Sequence, residues 1–317
     1  GTSGSVPGDT PWGEAWVVRS RNCRSRTDGT ATGAGRRGSS ANNCESCEPH
    51  QSLGPRSAQI DGGAGDNHLW LDGDYASGLV LGATTVSHIH DLHLADGHSY
   101  SLTLHSATVA AGEELTVYGD ALGAAFNFTF NAGQTAGNLK VFAAVGRDTI
   151  TSGSGADNLY FYNRLQANDS VDGGAGYDWL YLWGDYNLTF TDTTIRNVEG
   201  LLVQGDDTYN LVVADGTVAS GQSLYVYGGW LTALGSLTFD GRAETNGSFN
   251  ILGGAGVDSL RGGRGDDSLT GGGGNDTFVF GVNGGRDTIL DFAAGDKIDV
   301  SGTDGFSAYQ SLVQSGR

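Results

Sequence analysis

Residues 253–279 read GGAGVDSLR, GGRGDDSLT and GGGGNDTFV in unbroken succession. Each nonapeptide has Gly at its first, second and fourth places, Asp at its sixth and an apolar residue at its eighth. One such unit cannot bury its single apolar side chain, but stacked units line those side chains into a continuous core. Leu260, Leu269 and Phe278 are the predicted core of this stretch. The glycines allow positive φ and close backbone approach at the turns. Two units make one coil, so turns 18 residues apart lie above one another, with their Asp side chains roughly 4.8 Å apart. Bare carboxylates at that spacing repel.

A divalent cation between the turns makes the same geometry attractive. Oxygen is the only donor element at the repeated places, which favours a hard ion with six to eight flexible ligands, namely calcium, over magnesium with its small octahedral cage. Asp258 and Asp276 form the best-spaced pair, while Asp267 faces the other side and needs Asp287 of NGGRDTI as its partner. GGAGYDWLY at 173–181 is a further perfect copy, and AAVGRDTIT with SGSGADNLY covers 143–160 with eroded glycines. They offer Asp178, Asp148 and Asp157 at less regular spacing. GGAGDNHLW at 62–70 carries Asn67 where Asp is expected.

A second period of about 110 residues encloses these units. DGGAGDNHLWLDGDY at 61–75 returns as DGGAGYDWLYLWGDY at 172–186, and TVAAGEELTVYG at 108–119 returns as TVASGQSLYVYG at 217–228. Alternating runs beginning at Tyr100, Leu115, Tyr209 and Leu224 read as strands, and no segment carries a convincing amphipathic helix. The fold class is all-β, a parallel β-solenoid of two modules, 60–170 and 171–280, followed by a closing segment at 281–317.

Composition agrees. Of 317 residues, 54 are Gly and only four are Pro, without the period of a collagen. The net charge of −19 argues against nucleic acid and anionic membranes as partners. No run approaches the ~18 apolar residues of a membrane span. All the Pro and Cys fall within residues 1–59, a net-basic leader of low apolar content that is expected to be disordered. Its Cys44-x-x-Cys47-x-x-His50, with Cys23 upstream, offers four soft ligands of the kind zinc takes, but Cys23 lies outside the common paired spacing, and the group reads as a zinc site, a stray disulfide or an inert leader.

The nonapeptides resemble those of the repeats-in-toxin family, the hemolysin-type calcium-binding repeats. The resemblance spans all of 253–279, holds well at 173–181 and is looser at 62–70 and 143–160. It implies a right-handed parallel β-roll, secreted unfolded by type I machinery and folding on extracellular calcium. It also implies that Asp258, Asp267, Asp276 and Asp178, with the carbonyls of Gly253, Ala255, Gly271 and Gly273, hold the ions. With Asn67 at the sixth place, that implication does not extend to the first copy. The segment FVFGVNGGRDTILDFAAGDKIDVSG at 278–302 resembles the closing segment of serralysin-like secreted proteins, whose export signal lies at the extreme C-terminus. Truncation on that side, and at the start, is therefore expected.

Three other constellations were weighed. His88, His90, His93 and His98 lie within one short stretch and read either as a transition-metal site or as solvated polar positions. Trp179, Tyr181 and Trp183 alternate along one strand, as a sugar-stacking platform or as sheet packing. No H-E-x-x-H, G-x-S-x-G or phosphate-loop motif occurs, so the chain is read as not an enzyme. The expected function is calcium binding that drives folding of a secreted or surface-associated protein. Two wider roles compete: the secretion half of an exported hydrolase, and an adhesin or surface-layer-like protein with cell-surface or polysaccharide contacts.

Overall fold

The computed structural model describes residues 15–20, 60–83, 85–302 and 313–314. Within them the chain is all-β, a parallel solenoid of about ten turns. Among the described residues no helix is long and apolar enough to cross a membrane.

One long sheet of thirteen strands runs the length of the stack. From Asn67–Asp72 through Trp179–Trp183 to Val313–Gln314, each strand pairs in parallel with the next coil's. Parallel pairing follows from coiling, because every coil re-enters the sheet in the same direction. The period-two runs alternate as expected. Tyr100–Leu104 buries Tyr100, Leu102 and Leu104, and Thr208–Val213 buries Tyr209, Leu211 and Val213. These side chains join one continuous core that includes Leu260, Leu269 and Phe278, all fully buried.

Two units per coil is realised where the nonapeptides are perfect. Leu260 pairs with Phe278 and Ile251 with Leu269, each 18 residues on. The eroded units keep it between Lys140 and Asn158, but other coils are longer, with Asn158 pairing Trp179 and His93 pairing Tyr118. The turn glycines hold the short coils together. Gly272 has φ +95° and Gly274 φ +114°, and a Cβ on either would overlap the carbonyl oxygen of Gly254 or Gly256 in the coil before.

The second wall of the stack is made of two six-stranded sheets. The first starts at Tyr75–Leu81 and ends at Ile195–Arg196; the second starts at Tyr186–Phe190 and ends at Lys297–Gly302. A new wall therefore begins just before the old one ends. The same handoff occurs about 110 residues earlier, where Tyr75–Leu81 begins a wall and Val86–Ser87 pairs with Ile60–Asp61. His88 and Asn197 hold the matching bend in both, with φ of 54° and 50°.

Of the leader, the described residues Ala15–Ser20 form a strand antiparallel to Asn67–Asp72, at the first edge of the long sheet. Trp16, Val17 and Val18 are strand formers, and an open edge offers unpaired backbone groups to satisfy. Cys23, Cys44, Cys47 and His50 lie outside the described residues.

Candidate calcium sites in the stacked turns

The sixth-place acids are brought together in columns. Asp148, Asp157, Asp178, Asp258, Asp267, Asp276 and Asp287 are all buried, most of them fully. Each sits where a turn enters a strand, and the stack ties it to its neighbours through the backbone. The Asp258 N–H donates to Asp276 Oδ1 at 2.9 Å, and the Asp267 N–H to Asp287 Oδ1 at 3.1 Å. In the earlier turns the Asp157 N–H donates to Asp178 Oδ1 at 2.8 Å. One oxygen of each carboxylate except that of Asp148 thus accepts an amide from the coil before, a stabilising contact that bare anions would lack, whereas both oxygens of Asp148 are buried without a hydrogen bond.

The second oxygen is different. Asp178 Oδ2 and Asp258 Oδ2 are buried and accept no hydrogen bond. Each lies against the first-place glycine of its own turn, so closely that a Cβ on Gly253 would overlap Asp258 Oδ2. Burial without compensation disfavours the charged form. Burial, with the Asp276 charge, pushes Asp258 up to about 7, and burial, with the Asp267 charge, pushes Asp287 up to about 7. Burial likewise raises Asp178 to about 7, aided by Asp157 and Glu199, while Asp267 and Asp157 rise to about 6. Asp148 reaches about 8 through burial and the charge of Asp169.

The first copy shows what the turn demands. Asn67 is fully buried, and its Nδ2 donates to the carbonyls of Gly63 at 3.2 Å, Gly65 at 3.1 Å and His88 at 3.0 Å. Three carbonyl oxygens, two from its own turn and one from the next coil, therefore converge on the sixth-place side chain. An amide satisfies them with hydrogen atoms. A carboxylate has none to give, so in an Asp-bearing turn the same arrangement gathers oxygen around oxygen, the donor set of a hard cation. The two carbonyls from its own turn, those of Gly63 and Gly65, are at the second and fourth places, one residue beyond the places of Gly253, Ala255, Gly271 and Gly273. In the perfect repeats the Gly271 carbonyl lies 2.6 Å from where a Gly253 Cβ would stand, beside Asp258 Oδ2.

Three further acids belong to the columns and were not singled out from the sequence. Asp296 Oδ1 accepts from the Asp276 N–H at 3.0 Å, Glu199 Oε2 from Asp178 at 2.9 Å and Asp169 Oδ1 from Asp148 at 2.9 Å. Each stands one long coil, 20 or 21 residues, after its partner. The spacing of Asp267 to Asp287 was the available signal. Glu244 is a useful contrast. It is fully buried, yet one oxygen accepts the N–H groups of Thr245, Asn246 and Gly247 and the other that of Val218. Amides alone stabilise that carboxylate.

Oxygen-only turns, repeated at this register, have a known counterpart. The RTX calcium-binding nonapeptide repeat matches in four copies, over residues 141–161, 166–185 and 252–289. The chain carries RTX repeats. These repeats bind calcium, and the solenoid they build is a structural calcium-binding unit. The match includes the eroded units near Asp148 and Asp157 but not the Asn67 copy. It stops at residue 289, before most of the closing segment, so the serralysin-like resemblance rests on sequence alone. No curated protein and no solved structure matches the chain.

The remaining constellations resolve separately. The four histidines do not meet: His88 Nδ1 contacts Asp61 at 2.6 Å, His90 Nδ1 accepts from the Asn67 N–H at 3.2 Å and His98 lies 3.6 Å from Asp72. His93 instead joins a ladder of stacked rings on the outer face, with Tyr118, Phe142, Tyr160 and Tyr181 at centroid spacings of 4.4–5.1 Å. Tyr181 thus gives a ring face to Tyr160, and Trp179 lies over Gly200. Trp183 alone of its trio is largely exposed.

Proposed function

We propose that this is a secreted calcium-binding repeat protein whose solenoid completes its folding when extracellular calcium enters the stacked turns. The reading rests on the buried carboxylate oxygens of Asp178 and Asp258, which accept no hydrogen bond, at the place where three carbonyls converge on Asn67 Nδ2 in the first copy. The ions would be held by Asp258 with Asp276, Asp267 with Asp287, and Asp148, Asp157 and Asp178, joined by turn carbonyls that include those of Gly253, Ala255, Gly271 and Gly273.

If each site has the ~0.1–1 mM affinity of extracellular modules, millimolar calcium adds roughly 0.5–2 kcal/mol per site. A few sites then decide whether the stack is folded, because domain stabilities are themselves only about 5–15 kcal/mol. At submicromolar cytosolic calcium that contribution vanishes and the acidic chain stays open. This suits export as an unfolded chain through type I machinery, and an extracellular or surface location.

The test is far-UV circular dichroism and thermal melting of the full chain in chelator and in millimolar calcium. The expected result is a weak β signal that becomes cooperative and strongly β on calcium addition. Identical spectra and melting temperatures in the two conditions would overturn the reading.

A further inference from the structure

Separate from the calcium turns, we infer that His68, Asp91 and His93 form a binding site for a transition-metal ion, of which zinc is the type. His68 lies on the strand Asn67–Asp72, and Asp91 and His93 on its parallel neighbour Asp91–Leu94. The register sets His68 beside Asp91 and Trp70 beside His93. Neighbouring residues Leu69, Leu71, Leu92 and Leu94 turn into the core, so alternation sends all three polar side chains to the outer face.

Their donor atoms converge. His68 Nδ1 lies 2.7 Å from Asp91 Oδ2 and 3.4 Å from His93 Nε2, and one donor atom from each residue falls within 4.8 Å of the others. A tetrahedral zinc with bonds of about 2.0–2.1 Å requires donors about 3.3 Å apart, so the two imidazoles already stand at ligand spacing. Two nitrogens and one carboxylate match zinc and its borderline-soft relatives, and do not match the all-oxygen preference of calcium. Three protein ligands leave a fourth position for water.

The surroundings support ligation. With Nδ1 on the metal, the proton of His68 resides on Nε2, which is buried, accepts or donates no hydrogen bond and lies 3.5 Å from Asp66 Oδ2. A carboxylate behind a ligating histidine is the usual arrangement that fixes its tautomer. The His93 ring is clamped between Trp70, at 4.6 Å, and Tyr118, at 4.5 Å, which holds Nε2 in place. Asp66 and Asp91 also line a groove of about 520 Å³ that continues past Glu113 and Glu114, an acidic approach for a cation. One repeat further on, the same three places hold Trp179, Gly200 and Leu202, and there the indole simply covers the glycine. All three places differ together, and only the first set has metal-binding chemistry.

Zinc titrated calorimetrically into the calcium-loaded full chain tests this, in a Cys23→Ser, Cys44→Ser, Cys47→Ser background that removes the leader's thiols. The expected result is about one zinc per chain, with cobalt giving a tetrahedral absorption band. His93→Phe keeps the ring ladder, Asp91→Asn keeps the shape, and each should weaken zinc at least tenfold while the circular dichroism stays unchanged. Asp66→Asn should weaken it about 10–100-fold if it orients His68. No zinc uptake, or equal uptake by His93→Phe and Asp91→Asn, would overturn the proposal; neither result touches the calcium turns.

Discussion

At the sixth place of a turn, one atom separates two ways of filling the same cage. Asn67 brings an NH2 group to three carbonyls, whereas Asp258 brings an oxygen that accepts nothing. Asn67→Asp should therefore add one calcium per chain by calorimetric titration and lower the melting temperature in chelator. Asp258→Asn should do the reverse, losing one calcium and gaining in chelator about 0.5–1.5 kcal/mol of stability, the net worth of a newly made hydrogen bond. Opposite shifts from the two swaps are the signature; parallel shifts would show that the side chains do not occupy equivalent cages. The place of Asp258 in a column of acids was legible from its nine-residue spacing. The grip of three carbonyls on Asn67 Nδ2 was not, because which carbonyls reach the side chain depends on the next coil, where His88 supplies the third acceptor.

At the scale of the element, the nonapeptide is a turn and a short strand that make sense only in a stack. Ser259–Arg261 is three residues long and Thr288–Ile289 two, too short to hold a register unless neighbours above and below supply it. Phe278 is fully buried beneath Leu260, so Phe278→Ala should cost about 3–5 kcal/mol in calcium, measured by denaturant melts. Gly272→Ala has a second cause of failure, positive φ plus overlap with the Gly254 carbonyl, and should prevent the last coils from forming, read as lost protection from hydrogen exchange. Strands, core places and the 18-residue register were legible because three consecutive units share one pattern. Ala15–Ser20 was not, since six residues of the leader become a strand only when the sheet edge beside them exists. His68 was equally hidden: it stands 23 residues before Asp91 and 25 before His93, distances set by coil length and not by any local motif.

For the whole molecule, the raised pKa values of the buried acids set a dependence on pH. Asp148, Asp157, Asp178, Asp258, Asp267 and Asp287 hold protons in the metal-free fold up to about 6–8, while unfolded Asp releases them near 3.8. Between those limits the folded state binds more protons than the unfolded one, so stability falls as pH rises, by at most ~1.4 kcal/mol per pH unit for each group. In chelator, melting temperature should drop from pH 4 to pH 8; in calcium, which takes the place of those protons, it should not. A metal-free melting temperature that rises over this range would refute the assignment of these acids as buried and protonated in the metal-free fold. The spliced second wall has a different outcome. Around Tyr186 and Ile195 one wall stops as its successor starts, so among the described residues the long sheet is there the one strand ladder common to both halves. Tension applied along the axis concentrates at that seam, and the rod yields there as two blocks before either block frays.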